Sequence, residues 1–338
     1  MIRRTMIDLT RVPCPVCGQT DNNQILHRTT YPEHHYPGTF TLYRCRGCGL
    51  IFNSPRLDLD ELARLYGRNY YFFLRKDSRE FSRIVSMYQR TVALIDNDGL
   101  VSHSARRSLD VGCGRGYFPA VLKRLGWDAA GVEISPEAAE YAKSKFGLDV
   151  FTGTIEQYRT SPSARQFPLV TAIDVIEHVP DPQAFIAAAA ACVEPGGWLI
   201  IDTPNGAAQN ITSQGVAWKG FNPFHIYLFS IDNLAGILSR HGMGVDRSFS
   251  YSNNSSSISL RDRAIHGLKA VGMLSPLVQL YFGLKKMTVG GGDSPEPHIE
   301  QAVSRIHREP KYTSTPDSTA PLAAGKTGDN IVVFARKL

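Results

Sequence analysis

Between residues 105 and 251 short apolar runs alternate with amphipathic stretches, and this alternation restricts the chain more than any other feature. RRSLDVGCG, AAGVEIS, LDVFTGT, FPLVTAIDV, GGWLIIDTP and MGVDRSFSY read as strands. PAVLKRLG, PEAAEYAKSKFG and DPQAFIAAAAACV, lying between them, read as helices. Strand and helix in turn at this spacing imply an α/β core with a parallel, doubly wound sheet. The chain closes with NIVVFARKL (330–338), one more strand that we take to return to the same sheet, which makes 252–329 an insertion.

The rest of the chain divides around that core. Residues 1–55 are rich in Cys, Pro, Gly and His, with weak periodicity; 56–104 place apolar groups at helical spacing in LDELARLYGRNYYF and REFSRIVSMYQRTVALID. Within the insertion, RDRAIHGLKAVGMLSPLVQLYFGLKKM reads as amphipathic helix broken at Pro276, apolar enough to cover an acceptor or rest peripherally on a membrane. It is followed by Gly-, Pro- and Ser/Thr-rich linker. Hydrophobic content of 43% and charged content of 20% in 338 residues are those of a soluble globular protein. A net charge of +6 permits anionic substrates without demanding nucleic acid. MIRRTMIDLTRVPCP has no apolar run behind its arginines, and no stretch of about 18 apolar residues occurs, so a cytoplasmic location is expected. In that compartment disulfides are rare, and paired cysteines read as metal ligands.

Leu109–Gly116, LDVGCGRG, ends a strand at Val111 and turns through glycines at 112, 114 and 116 into a helix beginning near Tyr117. Glycine is needed where the backbone must turn tightly and a ligand lies against it. Glu133 ends the next strand, where an acid accepts hydrogen bonds from ribose hydroxyls. The spacing G-x-G-x-G differs from the G-x-G-x-x-G that cradles a pyrophosphate, and no P-loop lysine motif is present. Preceded by Asp110, it is the pattern of an S-adenosylmethionine site, a cofactor without phosphate. An empty or nucleotide-binding domain of the same fold is the alternative, since fold alone does not give function.

LDVGCGRGYF, GVEISPEAAEYA, AIDVIEHVPDPQAF and VEPGGWLIIDTPN resemble, in order and spacing, the successive motifs of class I methyltransferases. They are most similar to the bacterial group that includes the ubiquinone-biosynthesis O-methyltransferases, over roughly residues 105–250. The resemblance implies a Rossmann-like, seven-stranded, mostly parallel sheet whose last strand is antiparallel, which suits NIVVFARKL. It implies Gly112, Gly114 and Gly116 against the methionine part of the cofactor, Glu133 on the ribose and Asp174 near the reactive end. One departure is visible: many members carry an acid after the third strand to accept from the adenine amine, whereas this chain has Gly153-Thr154-Ile155. Adenine then falls to the Thr154 hydroxyl or to backbone.

Cys14-Pro-Val-Cys17-Gly and Cys45-Arg-Gly-Cys48-Gly are two C-x-x-C knuckles, and four thiolates fit a closed, structural, tetrahedral zinc site. Cys113 and Cys192 are isolated and read as small buried residues. The ribbon followed by NSPRLDLDELARLYGRNYY resembles the front end of bacterial methyltransferases acting on sugars and secondary metabolites. By that resemblance the region caps the cofactor cleft, with Tyr70 and Tyr71 as candidates to cover the cofactor; plain helix packing is the alternative for them.

Methyl transfer to a hydroxyl needs a base. His225, in the aromatic loop WKGFNPFHIYLFS above the carboxyl ends of the strands, is the first candidate. His178, read as beginning the helix after the fourth strand, is the second, with a helix-capping role as its alternative. In the ubiquinone O-methyltransferases the corresponding acid-x-x-Glu-His is linked to a divalent metal; here it reads Asp174, Glu177, His178. The expected partner is a small-molecule acceptor: a hydroxyl of a sugar, glycolipid or secondary metabolite, with carbon or nitrogen as the alternative atom. A zinc-ribbon RNA methyltransferase is disfavoured, because only Arg28 and Arg44 are basic between the knuckles and no Asn-Pro-Pro-aromatic or Pro-Cys element is present. A non-catalytic cofactor-fold binding protein is disfavoured by the intact glycine turn and Glu133.

Overall fold

The computed structural model describes residues 6–21, 23–31, 36–57, 91–92, 95, 100–101, 105–252, 299–300, 303–304 and 328–338. Tyr70, Tyr71 and the helices expected within 56–100 and 261–287 lie outside these residues.

An N-terminal unit supplies the strands β1 (Met6–Ile7), β2 (Asn23–Tyr31), β3 (Tyr36–Cys45), β4 (Ile51–Ser54) and β5 (Arg56–Leu57). The core follows as β6 (Arg107–Val111), α1 (Tyr117–Arg124), β7 (Asp128–Glu133), α2 (Pro136–Phe146), β8 (Asp149–Thr152), α3 (Ile155–Thr160) and β9 (Phe167–Ile173). It continues through α4 (Pro182–Ala191), β10 (Val193–Pro204), α5 (Gln209–Gln214), β11 (Tyr227–Leu228), α6 (Ile231–Arg240), β12 (Met243–Tyr251) and β13 (Asn330–Lys337).

The core sheet has seven strands in the order β12-β13-β10-β9-β6-β7-β8. β6 through β10 pair in parallel, and β13 enters antiparallel between β10 and β12. The expected α/β architecture and the antiparallel last strand are therefore both present. Alternate strand residues face opposite ways. Val111, Val170, Leu199 and Val333 pack with Phe185 of α4 and Leu234 of α6 on one face. Leu169, Ile200 and Phe334 pack with Phe118 of α1 and Ala139 of α2 on the other. Burial on both faces is why the central strands read as unbroken apolar runs.

Local signals start the helices. Ser135 caps α2 ahead of Pro136, Ser230 and Asn233 form a capping box on α6, and Asp181 accepts from the N–H groups of Gln183 and Ala184 to cap α4. This last cap corrects the reading of His178. His178 closes a 3-10 turn, Ile176–His178, and α4 begins only at Pro182, so the helix start belongs to the carboxylate of Asp181.

The second sheet runs β11-β4-β3-β2, so one of its four strands comes from the far side of the core sequence. Leu9, Val16, Phe40 and Phe52 share the apolar cluster that α4 and α6 cover. The described residues of the first 55 are thus seated on the core. Two buried residues of the expected insertion, Ile299 and Val303, belong to the opposite cluster with Phe118 and Leu122.

Candidate active site and cysteine cluster

The glycine turn leaves β6 with φ of 72°, 54° and 77° at Gly112, Gly114 and Gly116, a left-handed region costly for any side chain. The three glycines are needed for different reasons. A Cβ on Gly112 would stand 2.6 Å from Val175 Cγ2, and one on Gly116 would stand 2.7 Å from Leu148 and 2.8 Å from Ala142. A Cβ on Gly114 would meet nothing within 4 Å. Close protein packing demands the outer two; the middle one alone looks onto open space.

Glu133 locks that turn. One carboxylate oxygen accepts from Gly114 N–H at 2.7 Å and the other from Ser135 N–H at 2.8 Å. Burial raises its pKa against the pull of those donors. Behind it, Asp110 accepts from the Thr171 hydroxyl at 2.7 Å, and desolvation pushes its carboxyl up to about 7. Asp110 is therefore buried support for the turn. Ile134, the residue after Glu133, is 60% exposed. Sequence reasoning passes over it, because an apolar residue after an acid shows nothing of its role until its exposure is seen. Thr154 caps α3: its hydroxyl accepts from Gln157 N–H, while its own N–H donates to Gln157 Oε1. The cap occupies its backbone donor and one lone pair, leaving the hydroxyl proton to donate.

Val175, packed over Gly112, joins the turn to the acid-histidine segment. Asp174 before it takes φ 54°, with its N–H donating to the Asp202 carbonyl at 2.8 Å. The Asp174 side chain is reached by solvent although protein surrounds it, and desolvation with Glu177 nearby raises its pKa. Glu177 is fully buried, accepts from the Thr203 hydroxyl at 2.9 Å through Oε2, and is pushed by burial up to about 7. Its Oε1 has no hydrogen-bond partner.

The two histidines meet here, with ring centroids 4.8 Å apart and planes at 67°. His178 Nδ1 lies 2.9 Å from the Phe224 carbonyl and His225 Nδ1 lies 2.7 Å from the Gly220 carbonyl. A carbonyl only accepts, so each Nδ1 carries the proton and, in the neutral ring, Nε2 is the basic nitrogen; His178 Nε2 lies 3.8 Å from Glu177 Oε1. Burial lowers the pKa of His178 and favours this neutral form. Ligand atoms of Glu177, His178 and His225 lie within 4.8 Å of one another. The sequence grouped Glu177 and His178 with Asp174; the geometry groups them with His225. The aromatics of this loop, Trp218, Phe221, Phe224 and Tyr227, are all buried, and Trp218 and Phe221 pack against Leu42 and Ile51 of the ribbon.

The knuckle sulfurs converge as expected: Cys14 to Cys48 is 3.6 Å and Cys17 to Cys45 is 3.5 Å, with all four within 4.8 Å. A tetrahedron with metal–sulfur bonds of about 2.3 Å has edges of about 3.8 Å, so the quartet fits zinc. The sulfur–sulfur hydrogen bond with Cys48 holds the Cys14 thiol well below the ordinary thiol range, at about 5.

A seven-stranded sheet with β13 reversed, a left-handed glycine turn after its central strand and an acid closing the next strand define the class I methyltransferase architecture. Residues 61–247 match the family described as Methyltransferase domain, and the chain belongs to that family. It is 36% identical over 111 residues to the ubiquinone biosynthesis O-methyltransferase of Bordetella avium, covering 31% of this chain and 45% of that protein. It is 35% identical over 119 residues to the one from Paracidovorax citrulli, covering 33% and 49%. The chain thus spans about half the length of the curated relatives it matches. Among solved structures, a SAM dependent methyltransferase from Archaeoglobus fulgidus is 17% identical, with 80% of this chain and 100% of that one covered and a TM-score of 0.48. Among the described residues no helix is long and apolar enough to cross a membrane.

Proposed function

We propose that this protein transfers a methyl group from S-adenosylmethionine to a small-molecule acceptor, a hydroxyl of a sugar, glycolipid or secondary metabolite, with His225 as the base. The observation that carries this reading is the pair of Nδ1-protonated histidines beside the glycine turn, joined to it through Val175 over Gly112. Bound S-adenosylmethionine supplies an electrophilic methyl on a sulfonium. Gly114 is the open position for its methionine part, Glu133 accepts from the ribose hydroxyls, and Ile134 offers an apolar face to the adenine. Thr154 can donate its hydroxyl proton to an adenine nitrogen, and Asp174 lies toward the reactive end. His225 Nε2 takes the acceptor proton as the new bond forms, and the Gly220 carbonyl stabilises the resulting imidazolium. Half-buried His178 holds the Phe224 carbonyl and so fixes the approach of His225. The curated relatives are named as O-methyltransferases, which supports oxygen over carbon or nitrogen as the acceptor atom.

A second reading has one observation behind it. Glu177, His178 and His225 offer ligand atoms within 4.8 Å of one another, with Glu177 Oε1 3.8 Å from His178 Nε2, a two-histidine, one-carboxylate donor set suited to a divalent ion beside an acceptor hydroxyl. At the knuckles we assign structural zinc to Cys14, Cys17, Cys45 and Cys48. Methyl-labelled S-adenosylmethionine assayed against catechol and hexose acceptors, with and without chelator and added Mg²⁺, tests these readings. Label transfer insensitive to Mg²⁺ supports the base; strict dependence on Mg²⁺ favours the metal. No binding of S-adenosylmethionine by calorimetry would refute both.

A further inference from the structure

We propose that the cysteine-rich ribbon is a positioning element for the two histidines, so that metal occupancy at Cys14, Cys17, Cys45 and Cys48 governs imidazole geometry but not the cofactor half of the site. The inference rests on the readings above that zinc fills the quartet and that the histidines serve the acceptor.

The path between the two sites is short and made of backbone. Asn53 of β4 donates its N–H to the Ile226 carbonyl at 3.0 Å, and Ile226 donates its own N–H to the Glu177 carbonyl at 2.7 Å. Ile226 is the residue after His225, so one peptide neighbour is stitched to the ribbon on one side and to the His178 turn on the other. Tyr227 and Leu228 then pair with Phe52 and Ile51, the sole ladder of β11 among the described residues. Side chains repeat the connection: Leu42 and Ile51 of the ribbon share a buried cluster with Trp218, Phe221 and Leu228 of the histidine loop, and the His27 ring stands edge-on to Phe221.

β4 starts just after the second knuckle. The turn that sets its register is the one the metal would close, with Gly49 N–H on the Cys45 carbonyl and Cys45 N–H on the Leu50 carbonyl. In a site of this kind metal binding is folding free energy, so an empty quartet leaves β4 without a fixed register. The glycine turn and Glu133 are held differently, by hydrogen bonds to Val132 of β7 and to the N-cap of α2.

The test uses the full chain labelled with ¹³C at histidine Cε1, with His178→Gln and His225→Gln assigning the resonances and S-adenosylhomocysteine as the calorimetric probe. Removing zinc with a chelator should shift or broaden both resonances while S-adenosylhomocysteine affinity stays within about twofold. Leu42→Ala, which leaves the four cysteines intact, should keep one zinc per chain and move the same two resonances. Unmoved histidines in either sample overturn the proposal, as does a loss of cofactor affinity beyond about tenfold in step with the histidine changes, because the whole domain would then be failing. Protein without zinc by elemental analysis sinks the zinc assignment as well, a result distinct from unmoved histidines in zinc-loaded protein.

Discussion

At the scale of single residues the site is a set of small atoms with little tolerance. Gly112→Val brings a Cβ to within 2.6 Å of Val175 at a φ of 72°, so the turn must shift. Glu133→Ala leaves the Gly114 and Ser135 N–H groups without their acceptor, a loss of about 1–3 kcal/mol, and removes the acceptor proposed for the ribose hydroxyls. Both variants should weaken S-adenosylhomocysteine binding by roughly tenfold or more, read by calorimetry; equal affinity in Glu133→Ala would remove that residue from the site. His225→Ala should lower kcat by about 10²–10⁴-fold with whichever acceptor turns over, leave cofactor affinity alone and abolish the acid limb of the pH–rate profile. If His178→Ala has the larger effect on kcat, the two roles are exchanged. These positions were legible in the sequence because glycines and acids at strand ends have few other uses. Ile134 and Thr171 were not, because an apolar residue after an acid and a threonine inside a strand signal their roles only through what they face.

At the scale of elements, the strands and helices followed from apolar periodicity, and the short pieces did not. The 3-10 turn Ile176–His178 and the two-residue β11 are below the length at which periodicity carries information, so His178 was misread as a helix start. Those same short pieces bring Glu177, His178 and His225 together, which explains why the grouping with Asp174 was the one visible in sequence. The ribbon makes its own prediction. Purified protein should carry one zinc per chain by elemental analysis, and Cys45→Ser should release it, since Cys45 is fully buried within the quartet and pairs with Cys17 at 3.5 Å. Retained zinc in that variant would show that the fourth ligand is dispensable.

For the molecule as a whole, the buried carboxyl of Asp110 ties stability to pH. Its folded pKa, about 7, lies above the unfolded value near 4, so the folded state holds the proton more tightly. That contribution is fully present below about pH 4 and is lost as pH rises through 7. Asp110→Asn keeps an acceptor for Thr171 and should flatten the fall in urea midpoint between pH 4 and pH 7; an unchanged slope would assign the dependence elsewhere. The insertion also has a boundary that composition could not supply. Ile299 and Val303 are core residues, so an excision that spares cofactor binding must stop short of them. Joining 254 to 297 through a short Gly-Ser linker should leave S-adenosylhomocysteine affinity within about twofold.

The position of β13 has a consequence for how such a chain is made. Among the described residues β12 pairs with β13 and with no other strand of its sheet, and β13 is made after the other six strands of that sheet. Until it arrives, β10 and β12 each present a bare edge to the crowded space around a growing polypeptide. Those two strands are the stretch at which a chaperone would be needed most, and the sheet is sealed only once β13 has been made.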